Sequence, residues 1–259
     1  MKTLFLALTI SLFSAPAFAL SPEEQGLEII TEVDKRDTGF GDTQAKFEMV
    51  LKNRSGDEAR RVLEIRTLEI AADGDKSLTI FDSPRDIKGT AFLSFTHALT
   101  ADDQWLYLPA LKRVKRISSA NKSGPFLGSE YSFEDLTSFE VARYTYRYLK
   151  DEVIDGIDCF VIEMKPTYEY SGYTRQIGWI DKDRYIIIKG EYYDRKNSLL
   201  KTQIFKNYKQ YLGKYWRAGE QLMNNHQNGK STKLLWEEYQ FGVGLTDRDF
   251  DKNTLKRVR

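Results

Sequence analysis

The sequence predicts a mainly β protein: a curved, incompletely closed antiparallel β-barrel with a helical lid over an apolar cavity. Three observations lead there. Beyond residue 45, apolar residues recur with period two in more than ten successive runs. The separators between many of these runs are short and polar, which suits hairpins rather than crossover helices. Only two stretches, 22–37 and near 133–141, carry helical features, and a sheet of this many strands must curl, close or split to hide its edges. The helices are then available to cover the opening.

The first helix follows from Ser21-Pro22-Glu23-Glu24, which joins an N-cap, a proline at the first helical position and a capping-box acid. Leu27, Ile30 and Val33 recur at helical spacing, and Gly39 closes the segment. Ala45, Phe47, Met49 and Leu51 then alternate with Lys46, Glu48 and Lys52, and Ser55-Gly56-Asp57 makes a turn. Strands are expected at 58–71, 76–82, 89–97, 104–109 and 112–118. In the second half, Tyr144, Tyr146 and Tyr148 alternate with Arg143, Thr145 and Arg147, and Phe160, Ile162 and Met164 share one phase of the next run. Further runs cover 173–182, 185–194, 198–211, 213–224 and 231–241. No fixed-period repeat, low-complexity tract or proline-rich linker interrupts them, so residues 20–259 are expected to form a single domain.

Residues 1–19 are expected to be a signal peptide. Lys2 supplies the positive start, Leu4 to Phe13 an apolar run too short to span a bilayer, and Ala17-Phe18-Ala19 a small-residue cleavage site. No cysteine lies near the cut to carry a lipid anchor, so a soluble exported protein of a bacterial periplasm is expected. Loss of Lys2 from 39 basic residues leaves 38 against 38 acids, a net charge of zero that offers no long-range attraction to nucleic acid or anionic membrane. Cys159 is the only cysteine and lies in the apolar run GIDCFVIEM, which reads as a buried structural thiol.

Catalytic apparatus is thin, so no enzyme, metal site or cofactor is expected. No nucleophile elbow, zinc motif, dinucleotide fingerprint or phosphate loop occurs. Only His97, at a strand end, and His226, in a turn, are available as bases, and both read as structural or surface residues. Asp102-Asp103 and Glu237-Glu238 read as solvated acids, since adjacent strand residues point to opposite faces. The run Lys112-Arg113-Val114-Lys115-Arg116 splits its charge over both faces of a strand, which suits a protected sheet edge. Arg113 and Lys115 are the candidates there for docking a partner. Aromatic residues make up 13% of the chain, enough either for ordinary β packing or for the walls of a cavity.

Residues 105–136, with DQWLYLPALKRVKRI followed by GPFLGSEYSFEDL, resemble a branch of the periplasmic outer-membrane lipoprotein-sorting (LolA-like) family. The resemblance continues through RQIGWIDKDRYIIIKGEYYDRKNSLLKTQIFKNY. It implies a half-open barrel of about eleven antiparallel strands covered by helices, with an apolar cavity between them. It further implies a non-enzymatic carrier of lipoprotein acyl chains, or of another lipid, between an inner-membrane transporter and an outer-membrane acceptor. The alternative is an accessory subunit of a membrane transporter with no cargo of its own. No arginine of this sequence is assigned to the lid-holding role that a barrel arginine plays in the carriers.

Within that frame Trp105–Pro109 and Arg113–Ser118 are expected to pair. The loop around Gly124–Gly128 would cross the mouth, and Ser132 would cap a lid helix. The expected cavity and lid residues are Phe47, Met49, Leu51, Trp105, Tyr107 and Trp179 on strands by apolar phase. Phe126, Phe133, Leu136 and Phe139 join them from the loop and the helix after it.

Overall fold

The computed structural model describes residues 19–71 and 73–257. The expected signal peptide therefore lies outside the described residues, apart from Ala19. Helix α1 spans Pro22–Asp37 and starts as its sequence dictates: Ser21 accepts from the Glu24 N–H, and the Glu24 carboxylate accepts from the Ser21 N–H. Its buried residues are Gly26, Ile29 and Ile30, with Val33 packed beside them; of the expected Leu27–Ile30–Val33 stripe only Leu27 departs, being exposed.

Six strands follow: β1 Asp42–Lys52, β2 Glu58–Leu68, β3 Lys76–Ser83, β4 Ala91–Phe95, β5 Asp103–Leu108 and β6 Arg113–Ile117. After a long irregular segment come β7 Tyr144–Ile154, β8 Ile157–Pro166, β9 Tyr173–Asp181, β10 Ile187–Asp194 and β11 Leu199–Lys206. A separate hairpin, β12 Lys209–Tyr211 and β13 Tyr215–Arg217, precedes β14 Glu220–Asn225, β15 Ser231–Trp236 and β16 Gln240–Phe241. The expected single runs 198–211, 213–224 and 231–241 are thus each broken in two. Left-handed backbone at Asn207 (φ 56°) turns the first out of the main sheet.

The main sheet is antiparallel, in the order β6-β5-β4-β3-β2-β1-β15-β14-β11-β10-β9-β8-β7, with β16 on the start of β1. Two sequential meanders are joined by β1 and β15, and more strands contribute than the eleven expected. The free edges are β6 and β7, which are consecutive in the chain. The sheet is strongly curled nonetheless. Asp102 borders β5 and Arg143 borders β7, eleven strand spacings apart in the sheet order, which laid flat would span on the order of 50 Å. Their side chains meet at 2.6 Å.

Period-two alternation sorts the apolar residues onto the two faces. On the inner face Phe47, Met49, Leu63, Phe81, Phe92 and Leu234 form one cluster. Ile162, Met164 and Ile180 form another under Ile29 and Ile30 of α1. Gly26 lets that helix sit close: a Cβ there would lie 2.8 Å from the Tyr148 backbone nitrogen. On the outer face the C-terminal residues Phe250 and Leu255 cover β3–β5, and Tyr208 and Trp216 from the hairpin region cover β8–β10. Cys159 is fully buried there as expected, and burial pushes its thiol up to about 11.

Candidate functional site

The chain leaves the sheet at edge β6 and re-enters at edge β7, and residues 118–143 between them cross the inner face. The expected lid helix near 133–141 is absent: only single 3-10 turns occur, at Ser119–Asn121, Glu134–Leu136 and Val141–Arg143. Asp135 does accept from the Ser132 N–H at 2.6 Å, the beginning of a capping interaction. The helix does not propagate because the neighbouring groups bond elsewhere. The Thr137 hydroxyl turns back to the Glu134 carbonyl, and the Ser138 N–H donates to Thr96.

This segment is a plug. Phe126 packs at 5.3 Å from Phe92 and 5.6 Å from Phe133, and Phe133 lies 5.4 Å from Phe92. The chain reverses after Phe126 through Leu127 (φ 49°) and Gly128 (φ 83°), a left-handed pair that favours glycine. Polar tethers then fix the backbone to the wall. Arg61 on β2 donates to the Leu127 carbonyl at 2.7 Å, and Gln104 on β5 to the Phe133 carbonyl at 3.1 Å. Arg61 thus ties the plug to the sheet, a contact the sequence did not mark.

Buried charge completes the hold. Lys201 Nζ on β11 reaches Asp135 at 2.6 Å and the Glu130 carbonyl at 3.0 Å, with both side chains of the pair almost wholly buried. The Tyr173 hydroxyl donates to the other Asp135 oxygen at 2.7 Å, and burial raises Tyr173 and Tyr192 well above the ordinary phenol range. Glu134 accepts from Tyr168, Ser171 and the Gly172 N–H. At the plug's end Arg143 grips Asp102 with both terminal nitrogens, at 2.6 and 3.2 Å. Asp102, expected as a solvated acid, is therefore one half of a buried pair.

The expected site residues fall into separate groups. Phe47, Met49, Leu51, Phe126, Phe133 and Leu136 come together in one inner cluster. Trp105 and Tyr107 lie instead on the outer face, beside Phe250 and Leu255. Trp179 is also outer, with its indole N–H on Glu152 at 3.0 Å. Phe139 is 41% exposed and stacks on Tyr144 at 5.3 Å. The physical reason is the doubly apolar strand: β5 carries Trp105 and Tyr107 in one phase and Leu106 and Leu108 in the other, and periodicity cannot say which phase is inner.

Arg113 and Lys115 are exposed on the free edge β6, and among the described residues neither has an ion-pair partner. Neighbouring Arg116 pairs with Asp103. His97 lies 2.6 Å from Asp73, whose hydrogen bond raises the imidazole above its ordinary range, and 3.6 Å from Asp103. His226 meets the Thr202 hydroxyl at 2.7 Å. Among the described residues no serine hydroxyl bonds to either ring.

Beside the plug opens a cavity of about 880 Å³, between residues 123–132 and the turns after β10 and β14. A second space of about 550 Å³ lies at the end of α1, against Tyr185, Tyr208 and Trp216. Both volumes are within the roughly 300–1,000 Å³ typical of small-molecule sites.

A protein-family model described as "Uncharacterized protein" matches residues 73–257. A solved structure from Vibrio parahaemolyticus, named for an outer-membrane lipoprotein-sorting protein domain, is 57% identical over 91% of this chain and 100% of its own, with a TM-score of 0.89. The chain belongs to the outer-membrane lipoprotein-sorting protein family. A DUF1329 family protein from Desulfovibrio piger is 30% identical over 91% of this chain and 100% of its own, with a TM-score of 0.86. A LolA superfamily protein from Nitrosomonas europaea shares the fold: its TM-score is 0.71 at 19% identity, covering 91% of this chain and 99% of that one. No curated protein matches. In this chain one helix and one irregular plug cover the inner face of the open sheet.

Proposed function

We propose that this protein is a periplasmic, non-enzymatic carrier that takes lipoprotein acyl chains, or another lipid, onto the inner face of its sheet. It would pass them from an inner-membrane transporter to an outer-membrane acceptor. The observation that carries this reading is the plug. The apolar inner face is covered by residues 118–143, which belong to no strand of the sheet, and Phe126 and Phe133 occupy space an acyl chain would take once the segment swings out. Family membership and the name of the Vibrio relative support it. Burying one methylene is worth about 0.8 kcal/mol, so hiding a ~16-carbon chain from water is worth on the order of 10 kcal/mol. That is enough to displace a plug whose own apolar contacts return to the ligand.

Extraction of the purified protein for mass spectrometry, together with displacement of a fluorescent fatty acid, tests the reading. Copurified lipid and displacement are expected. Absence of both would sink it.

A second reading, an accessory subunit without cargo, draws on Arg113 and Lys115, which sit unpaired on the free edge of the sheet. Charge reversal at both that abolishes function in cells while lipid binding persists would favour docking as an essential step.

A further inference from the structure

The large cavity beside the plug has an unbalanced electrostatic design. Four cations line it, Arg195, Lys196, Lys201 and Lys230, with two carboxylates, Glu130 and Asp194. The carboxylates are already occupied by neutral donors. Glu130 accepts from the amides of Asn225 at 2.7 Å and Asn228 at 3.1 Å. Asp194 accepts from the Lys196 and Ser198 N–H groups at 2.8 and 3.0 Å and from the Gln227 amide at 2.9 Å.

The cations are not occupied in the same way. Arg195 donates only to neutral oxygens, the Ser171 carbonyl at 3.0 Å and, more distantly, Ser123 and the Tyr170 carbonyl. Among the described residues, no carboxylate comes within ion-pair distance of Arg195, Lys196 or Lys230. Lys201 is the exception, buried at the cavity wall on Asp135. Among the described residues three cations without a carboxylate partner thus line one concave space, and the two acids beside them are hydrogen-bonded to uncharged groups. With Lys201 set against Asp135, three cations outweigh two carboxylates, and this net positive charge in a concave site favours an anionic ligand. The apolar wall, with Pro125, Tyr131, Tyr173, Leu199 and Leu200, suits a group attached to a hydrocarbon.

The geometry points to this cavity as a binding site for a phosphate-type anion, held by Arg195, Lys196 and Lys230 through charge-assisted hydrogen bonds. It deepens the carrier reading and rests on its second cargo class for the source of the anion: a lipid other than a lipoprotein, with a phosphate headgroup, whose chain enters under the plug. A free phosphate would present the same chemistry.

Calorimetric titration of the full-length mature protein separates these cases, with monomyristoyl phosphatidylglycerol, neutral monomyristoylglycerol and inorganic phosphate as probes. The comparison variant is Arg195→Gln/Lys196→Gln/Lys230→Gln. All three positions are exposed, so the variant is expected to fold, and an unchanged circular dichroism melt checks this. Wild type is expected to bind the anionic lipid at least about tenfold more tightly than the neutral one, and the variant to lose that preference. Binding of inorganic phosphate alone, lost in the variant, upholds the anion site while removing the lipid carrier. Equal binding of both lipids by wild type and variant overturns the anion site and leaves the carrier standing. No binding of any probe overturns both.

Discussion

Two covers lie on the same inner face, and they are held in opposite ways. Helix α1 satisfies its own backbone and is held chiefly by an apolar stripe, with Gly26 bringing it against β7 and Ile29 and Ile30 against Ile162 and Ile180, and by polar contacts of Arg36 and Asp37 at its C-terminal end. The plug is irregular, so its backbone and its acids must find partners in the wall. It finds them in Arg61, Gln104, Lys201 and the Asp102–Arg143 pair. A cover held by area comes off only by exposing that area. A cover held by a few specific bonds can be released by competing for them. Under the proposed function the plug is the cover that would move, and α1 the one that would stay.

The largest expected effect comes from Arg143→Met. Leaving Asp102 buried without its partner should cost about 3–5 kcal/mol, read from urea denaturation. Amide exchange should accelerate in 118–143 before it does in 22–37; the reverse order would break the comparison. Gly26→Val attacks the other cover. Its side chain would meet the backbone of Arg147 and Tyr148 at 2.8–3.0 Å, and overpacking of this kind costs about 1–3 kcal/mol. Here exchange should accelerate in α1 while the plug stays protected.

The junction of the two covers should be pH-sensitive. Burial pushes Asp75 up to about 6 and Glu140 up to about 7, and Asp34 on α1 adds to the raising of Glu140. Native carboxyls here keep their protons where the unfolded chain has lost them. Their stabilising contribution is therefore complete below the unfolded value, 4.5 for Glu140, and is lost as pH rises through about 6 to 7. Stability should rise on acidification across that window, and Glu140→Gln should flatten the rise in melting temperature. The smallest effect belongs to Arg113→Glu/Lys115→Glu, far from both covers on an exposed edge. Unfolding free energy should change by no more than about 0.5 kcal/mol, which makes the variant a clean probe of docking.

Local chemistry was the legible part. Ser21 and Glu24 announced α1 by a capping box that satisfies itself within one turn. The charged run at 112–116 announced an edge, and β6 is one. The inner cluster was half legible, since β1 has one clean apolar phase and Phe47, Met49 and Leu51 all point the expected way. Trp105 and Tyr107 fall on the outer face because β5 is apolar in both phases, and Trp179 because β9 has an apolar phase that meets Tyr208 and Trp216; only the C-terminal segment and the β12–β13 region decide which side counts as outside. The tethers were not legible at all. Lys201 stands 66 positions from Asp135, and Arg143 stands 41 from Asp102, with nothing local to mark either as half of a pair.

By itself the sequence determined the class of the fold, the run of hairpins and the first helix, because period-two patterning, turn chemistry and capping act over a few residues. Only the tertiary structure decided that the opening lies between β6 and β7, that the plug is not a helix, and that buried charge pins it down. Those outcomes depend on groups many strands apart being carried together by the curl of the sheet. That curl sums a small twist at every strand and is written at no single residue.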